Sequence, residues 1–302
     1  MSKLMSMQEA IGRFVHDGMA VAMSLALEPL IPFAAGHEII RQRRRDLTLI
    51  GPISDCLFDQ LIGAGCVRRV IAAWVGNVSG GLGHAYRRAA EQGLPQPLEI
   101  HDHSNFTIAL ALRAGALGVP YIPAYTLLGS DLPRSNPGLV QAEYEGRPIL
   151  HVKAVTPDVA IVQVQRSDED GNAHAWGNLG ISLEAGLASR DIIIVAEEIV
   201  PRDVILSDPN RVIAPSFKVR AVVHEPGGAH PSPVQGYYNR DHEFFHAYHS
   251  ATRTLEGMQS WLQEWVYGIP DRAAYLRKLG AERWTSLQRR TSLLAAPVDY
   301  GY

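Results

Sequence analysis

The amino-acid sequence predicts an α/β protein built on a mostly parallel sheet. Apolar runs of strand length alternate with segments of helical periodicity. Several of those runs are continuously apolar, the pattern of strands buried on both faces. The intervening segments span roughly 10–15 residues, the length that carries a chain back to a neighbouring parallel strand. With 302 residues, 46% of them hydrophobic, the chain has enough apolar surface for a large core. At roughly 100–200 residues per domain, two domains would fit, but no linker interrupts the alternation. The expected organisation is one sheet-centred domain over residues 1–302, with residues 240–302 as a helical C-terminal extension.

The elements follow in order. Ser6 and Glu9 have the spacing of a capping box. Ile11, Phe14 and Val15 continue at helical spacing, and Gly18 is a natural stop. Residues 19–27 are almost continuously apolar and are expected to form a buried strand. Residues 33–45 return to helical periodicity and end in Arg41, Arg43, Arg44 and Arg45, a cationic last turn that suits the negative end of the helix dipole. A strand is expected over 47–50, a helix over 54–62, a strand over 67–74, and a helix over 82–92 closed by Gly93. Then come a strand over 98–101, a helix over 105–116 and a strand over 121–124. Residues 127–148 turn to Gly, Ser, Asn, Pro and charge and are expected to be a long loop. Strands over 150–155 and 159–165 precede a turn at 167–172, and further strands cover 192–196 and 218–225. Pro226, Gly227 and Gly228 break the last strand, and residues 240–277 are largely helical, with Trp261, Trp265 and Tyr275 as packing residues.

Charge and composition exclude several classes of function. Lys plus Arg number 28 against 31 Asp plus Glu, a net charge of −3 with no overall basic footprint for nucleic acid or a membrane surface. The most apolar stretch, residues 19–36, is interrupted by Glu28, Pro29 and Pro32, which suits neither a membrane span nor a signal peptide. Cys56 and Cys66 are too few for a disulfide framework or a four-thiolate zinc site and are expected to be reduced thiols of a cytoplasmic protein. Among 12 histidines, His101 and His103 would share a strand face, and His242, His246 and His249 a helix face. Neither set matches a zinc-protease helix or comes with paired cysteines, so no metal is assigned.

The Gly-rich loops come close to two catalytic motifs and match neither. The segment around Ser79 lacks the Gly-x-Ser-x-Gly spacing of a nucleophile elbow, so a Ser-His-Asp triad is not expected. Gly80, Gly81 and Gly83 lack the dinucleotide-binding spacing. What remains is physical: Gly- and Ser-rich loops at helix N-termini offer free backbone N–H groups to an anion or a developing oxyanion. Loops at 79–83, 103–105, 128–130 and 225–230 are expected at strand carboxyl ends, where ligands of open parallel sheets bind.

These loops carry a family resemblance that runs along nearly the whole chain. Its landmarks are Pro32-Phe33-Ala34, Gly118-Val119-Pro120, Pro157-Asp158-Val159, Asp170-Gly171-Asn172, Glu197-Glu198 and Pro226-Gly227-Gly228-Ala229-His230-Pro231. In that order and spacing, the chain resembles the alpha (A) subunit of class I CoA-transferases, of the glutaconate CoA-transferase type. The resemblance implies an open, mostly parallel sheet with helices on both faces. It also implies a partner, a beta subunit of similar fold, with the active site between the two. In the family a beta-subunit glutamate attacks the acyl-CoA, forms a mixed anhydride and then a glutamyl-CoA thioester, and passes CoA to a second carboxylic acid. No catalytic residue is therefore expected in this chain. No cofactor is held permanently, since the CoA thioester is a substrate.

By position, Asn77, Ser79 and Gly80 match the family's loop facing the acyl group. Ser104 and Asn105 match its Ser-Gln pair, and Gly129 and Ser130 its Gly-Ser loop. One departure stands out. Where the family's first strand ends in Gly-Gly-Phe and a polar loop, this chain has Ser24-Leu25-Ala26 and then Leu27-Glu28-Pro29. This implies a larger, more hydrophobic acyl pocket or an altered CoA contact. Two other readings remain open: a CoA-thioester or ring-opening C–C hydrolase of the same family, which has an acidic residue near Asn105, and a non-catalytic ligand-binding module.

Overall fold

The computed structural model describes residues 2–301. In chain order its elements are α1 (Met7–Phe14), β1 (Ala20–Ala22), α2 (Phe33–Arg41), β2 (Leu47–Ile53), α3 (Cys56–Gly63), β3 (Val67–Trp74), β4 (Gly76–Asn77), β5 (Gly81–Leu82), α4 (His84–Gln92), β6 (Glu99–Asp102) and α5 (Asn105–Leu117). There follow β7 (Tyr121–Ala124), α6 (Leu132–Ser135), β8 (Leu139–Tyr144), β9 (Arg147–Lys153), β10 (Val159–Ser167), β11 (Ala173–His174), α7 (Ser182–Ala188), β12 (Asp191–Ile199), α8 (Arg202–Leu206) and β13 (Val219–His224). The C-terminal segment holds α9 (His242–Ala251), α10 (Leu255–Leu262), a π-helical turn (Gln263–Tyr267), α11 (Arg272–Leu279) and α12 (Ala281–Leu287).

Seven strands pair in parallel in the order β13-β12-β10-β1-β2-β3-β6, and β11 adds an antiparallel bridge to the end of β10. The chain grows outward from β1 to β6, then returns to the other side of β1 as β10. This reversal places a switch point between β1 and β10, where an open sheet leaves a crevice at its carboxyl edge.

The continuous apolar runs are explained by two buried faces. In β12, Ile193 and Val195 join one core cluster with α1, α2, α3 and the C-terminal helices, while Ile192, Ile194 and Ala196 join another with α5 and α7. Helix α1 starts on the expected box: Ser6 Oγ accepts from Glu9 N at 3.2 Å, and Ser6 N donates back to the Glu9 carboxylate at 3.1 Å. The C-terminal helices pack as a layer: Phe245, Tyr248, Met258, Trp261 and Tyr275 lie in the same cluster as α2 and α3. Helix in that segment ends at Leu287.

Three expectations change. The strand over 19–27 lasts only three residues, because the backbone turns at Ser24, Leu27 and Leu30, each with positive φ. The segment is mostly apolar because much of the turn is itself buried, not because it is extended. The helix over 33–45 ends at Arg41, and Arg43 is already left-handed. Residues 127–148 are not a bare loop: β8 and β9 form a hairpin that pairs with β7 in a separate antiparallel sheet. Its two-residue turn is Glu145-Gly146, both at positive φ, as a primed hairpin turn requires.

Candidate active site

The loops that leave the carboxyl edge converge on the C-terminal helices. After β2, Asp55 turns sharply at φ 45° and ψ −132° and is fully buried. Its Oδ2 accepts from Arg240 Nη2 at 2.9 Å, and its Oδ1 accepts from Val78 N at 3.2 Å. Burial pushes the Asp55 carboxyl up to about 6, against the opposing pull of Arg240. The Glu28 carboxylate lies 3.8 Å from Arg240 Nε, so the loop after β1 also reaches this point.

After β3, the loop 75–83 is laid on α9. Asn77 is buried; its Nδ2 donates to Phe245 O at 2.6 Å, and its Oδ1 accepts from Ser79 N at 2.9 Å. Both ends of that amide are thus engaged within the chain. These two bonds shape the loop. Gly80 sits against His249, where an added Cβ would come within 2.6 Å of the ring. Ser79 is half-buried at the surface of the loop, with its Oγ 3.2 Å from His242 Nδ1.

After β6, Ser104 caps α5: its Oγ accepts from Thr107 N at 3.1 Å, and its own N–H donates to Thr107 Oγ1 at 2.9 Å. Asn105 is exposed on the first turn of α5. Gly129 has φ 85°, and Ser130 Oγ donates to Leu127 O at 2.9 Å. Asn136 ties this stretch to the end of β6 by donating to Asp102 O at 2.7 Å. The site residues expected from sequence therefore fall in separate loops. Asn77, Ser79 and Gly80 rest on α9; Ser104 and Asn105 open α5 after β6, the strand that neighbours β3; Gly129 and Ser130 lie in the loop after β7, in the separate sheet.

The larger hydrophobic acyl pocket expected from Leu25 and its neighbours is not what these side chains build. Leu25 packs into the core cluster of α5 and α7, and Ala26 and Leu30 pack with Ala229, Val234 and Tyr238. The histidine sets also differ from ligand sets. His103 is buried, and burial carries its imidazole down to about 4, while His101 bonds Glu99 at 2.8 Å. Among the described residues no group of three or more His, Cys, Asp or Glu side chains is placed to hold a metal ion.

The loop 225–231 is held differently. Glu197 at the end of β12 is buried and accepts from Gln163 Nε2 at 2.9 Å, Gly227 N at 2.6 Å and Tyr238 Oη at 2.5 Å. Burial raises its carboxyl to about 7 in spite of these donors. His230 bonds Tyr275 Oη at 2.9 Å and Asp241 Oδ2 at 3.0 Å. Arg283 donates to both Asp241 oxygens, at 2.6 and 2.7 Å. Burial pushes Asp241 up, but the hydrogen bonds from His230 and Arg283 outweigh it and hold the carboxyl well below its usual range. Arg272 donates to Gly227 O and His230 O at 2.7 and 2.6 Å. Asp55, Arg240 and this knot were not assigned roles from sequence. Their partners lie far along the chain (Asp55 and Arg240 by 185 residues), and no local pattern signals such pairs.

An open parallel sheet with polar, Gly-rich loops at its carboxyl edge defines an α/β protein built to bind a small molecule there. The comparisons with known proteins make the class specific. The family model for Coenzyme A transferase matches residues 4–225. The A subunit of 3-oxoadipate CoA-transferase from Pseudomonas knackmussii is 40% identical over 281 residues, covering 92% of this chain and 99% of that protein. The A subunit of glutaconate CoA-transferase from Acidaminococcus fermentans is 31% identical over 306 residues, covering 95% of each. The crystal structure of glutaconate CoA-transferase from that organism superposes with a TM-score of 0.89 at 30% identity, covering 99% of both chains. The chain belongs to the coenzyme A transferase family and is of the A-subunit type.

Proposed function

We propose that this chain is the alpha subunit of a heteromeric CoA-transferase that moves CoA from an acyl-CoA to a free carboxylic acid. The observation that carries the reading is the end-to-end likeness to A subunits, in sequence and in fold. In this reading the beta subunit, of similar fold, supplies the glutamate that becomes the glutamyl-CoA thioester. This chain supplies the wall that holds the acyl group and its oxyanion, through Ser79 and the N-terminal turn of α5 at Ser104 and Asn105. Gly129 and Ser130 border the same edge.

The buried carboxyls here suit that division of labour. Asp55 and Glu197 are enclosed and hydrogen-bonded within the chain, so neither is placed to attack a thioester. Short dicarboxylic acids are the favoured substrates: both relatives above are named for one, and the apolar loop after β1 packs inward rather than widening a pocket. No resident cofactor or metal enters this mechanism, and CoA thioester is the substrate. Two free, buried cysteines fit a reducing, cytoplasmic setting. No helix among the described residues is long and apolar enough to cross a membrane.

The test is co-purification with a beta-type partner chain, followed by assay of CoA transfer between succinyl-CoA and 3-oxoadipate. Transfer that disappears when the partner's glutamate becomes alanine supports the reading. Release of free CoA without need of an acceptor acid would replace it with hydrolysis, and transfer by the isolated chain would overturn the two-subunit site.

A further inference from the structure

The three-stranded antiparallel sheet β7-β9-β8 has one covered face and one bare face. Leu139, Leu150 and Val152 turn towards α5, where they pack with Ala111. Strand register puts the alternate residues on the other side: Tyr121 opposite Lys153, Pro123 opposite His151, Ala142 opposite Ile149 and Tyr144 opposite Arg147. On that side lies a hollow of about 420 Å³, lined by Tyr121, Pro123, Tyr125, Tyr144, Ile149 and His151. Ile149 is buried beneath it, while Tyr121, Tyr125 and Tyr144 are 41%, 64% and 56% exposed.

The hollow suits a flat, anionic guest. Tyr121 and His151 are already stacked, with ring centroids 3.9 Å apart and planes 15° apart, so an aromatic ledge exists before anything binds. The exposed tyrosine rings present π-faces on which a planar base can stack. Arg147 and Lys153 stand towards the two ends of the same face, both exposed, and neither is paired with a carboxylate among the described residues. Aromatic faces between unpaired cations match a nucleotide, whose base stacks while its phosphates meet the cations. The size of the hollow lies within the roughly 300–1,000 Å³ of small-molecule sites. A protein partner is the competing occupant; the recess and the unpaired cations favour the nucleotide. The chain itself joins this place to the loops of the candidate site: Tyr125 stands four residues before Gly129, so the two are no more than about 14 Å apart.

We propose that this face holds the nucleotide end of the CoA thioester, with the adenine stacked among Tyr121, Tyr125 and Tyr144 and the phosphates against Arg147 and Lys153. The inference deepens the reading above and rests on it for the identity of the ligand. CoA joins its reacting sulfur to its nucleotide by a long pantetheine arm. The thioester lies at the loops of the parallel sheet, and the arm runs along residues 125–130 to the hollow. The nucleotide takes no part in making or breaking bonds. Its binding energy therefore appears in kcat/KM, whether it is realised before the transition state or in it.

The experiment uses the assembled two-subunit enzyme with two acyl donors, succinyl-CoA and succinyl-pantetheine, the second of which lacks the nucleotide. Tyr144→Ala and Arg147→Ala are each expected to lower kcat/KM for succinyl-CoA about 10-fold, the scale of one stacked base or one charged hydrogen bond. Both are expected to leave kcat/KM for succinyl-pantetheine unchanged. Tyr144→Phe keeps the ring and is expected to behave as the unmodified enzyme. Binding of adenosine 3′,5′-bisphosphate, measured by calorimetry, is expected to weaken in step with the succinyl-CoA values. Equal losses with both donors, no loss with either, or nucleotide binding indifferent to Tyr144 and Arg147 would each overturn the inference. Failure of the variants to co-purify with the beta-type partner would also overturn it and give the face to a protein interface. An unmodified enzyme that transfers no CoA, yet binds adenosine bisphosphate through Tyr144 and Arg147, would overturn the transferase reading alone.

Discussion

The loops 75–83 and 225–231 look alike in sequence. Both are Gly-rich, both follow a strand of the parallel sheet, and both are pinned by residues from the C-terminal helical segment. Their surroundings differ. In 225–231 the charged and polar groups of Glu197, His230, Asp241 and Arg283 hydrogen-bond one another or the loop backbone, mostly out of contact with water. In 75–83 the Asn77 side chain is enclosed, while Ser79 and the His242 ring beside it stay half-exposed. The first loop is a structural knot whose chemistry is used up internally. The second has the same glycine-rich character but leaves the Ser79 hydroxyl and the His242 imidazole half-exposed, bonded to each other. A glycine-rich loop at a strand end therefore marks a place where the backbone turns tightly, and burial decides whether its polar groups stay within reach of solvent.

The comparison can be tested from its largest consequence down. Asp241→Ala should cost roughly 3–5 kcal/mol, because it leaves the Arg283 charge and the buried His230 without their shared partner. Urea denaturation measures this, and a loss below about 1 kcal/mol would deny the knot its structural role.

The next effect is one of pH. Glu197 keeps its proton up to about 7 in the folded chain, whereas the unfolded side chain releases it near 4.5. Between those values folding takes up a proton, so this group's contribution to stability is full below 4.5 and falls as pH rises to 7. The change amounts to roughly 3 kcal/mol. Glu197→Gln should flatten the slope in melting curves recorded across that range; an unchanged slope would show that another group carries it.

On the open side, Gly80→Ala should cost about 1–3 kcal/mol through its clash with the His249 ring. It should also lower turnover by displacing Ser79. Ser79→Ala should change stability by no more than about 0.5 kcal/mol while impairing activity. A large stability loss there would make the two loops equivalent.

The sequence was most informative where structure is local or repetitive. The central strands β2, β10, β12 and β13 were legible from their apolar runs, since burial on both faces leaves few polar positions to interrupt them, while the edge strand β6 is Glu99-Ile100-His101-Asp102 and partly exposed. The box at Ser6 and Glu9 and the stop at Gly93 were legible because capping is decided within a few residues. The antiparallel sheet was legible only in part: strands over 121–124 and 150–155 were expected, but β8 and the hairpin were not. Its strands carry exposed residues such as Tyr121, Val140 and Tyr144, and its hairpin turns on Glu145-Gly146 rather than on the more telling Asn-Gly. At the candidate site, the loops were found but not the side chains that complete them. His242 and His246 were visible as neighbours on one helix face, to which no metal was assigned; Ser79 was visible as a serine in the wrong motif.

What the sequence alone determined is the alternating α/β order, its family membership and the loops at which chemistry is expected. Periodicity, caps and glycines act over short stretches of chain and can be read there. What only the tertiary structure decided is which loop is sealed and which stays half-exposed, and that Asp55, Arg240, His242 and Ser79 stand in one chain of contacts. Those contacts are set by how the C-terminal helices close over the sheet. Hydrogen bonding and burial depend on distance in space, and separation along the chain does not encode it.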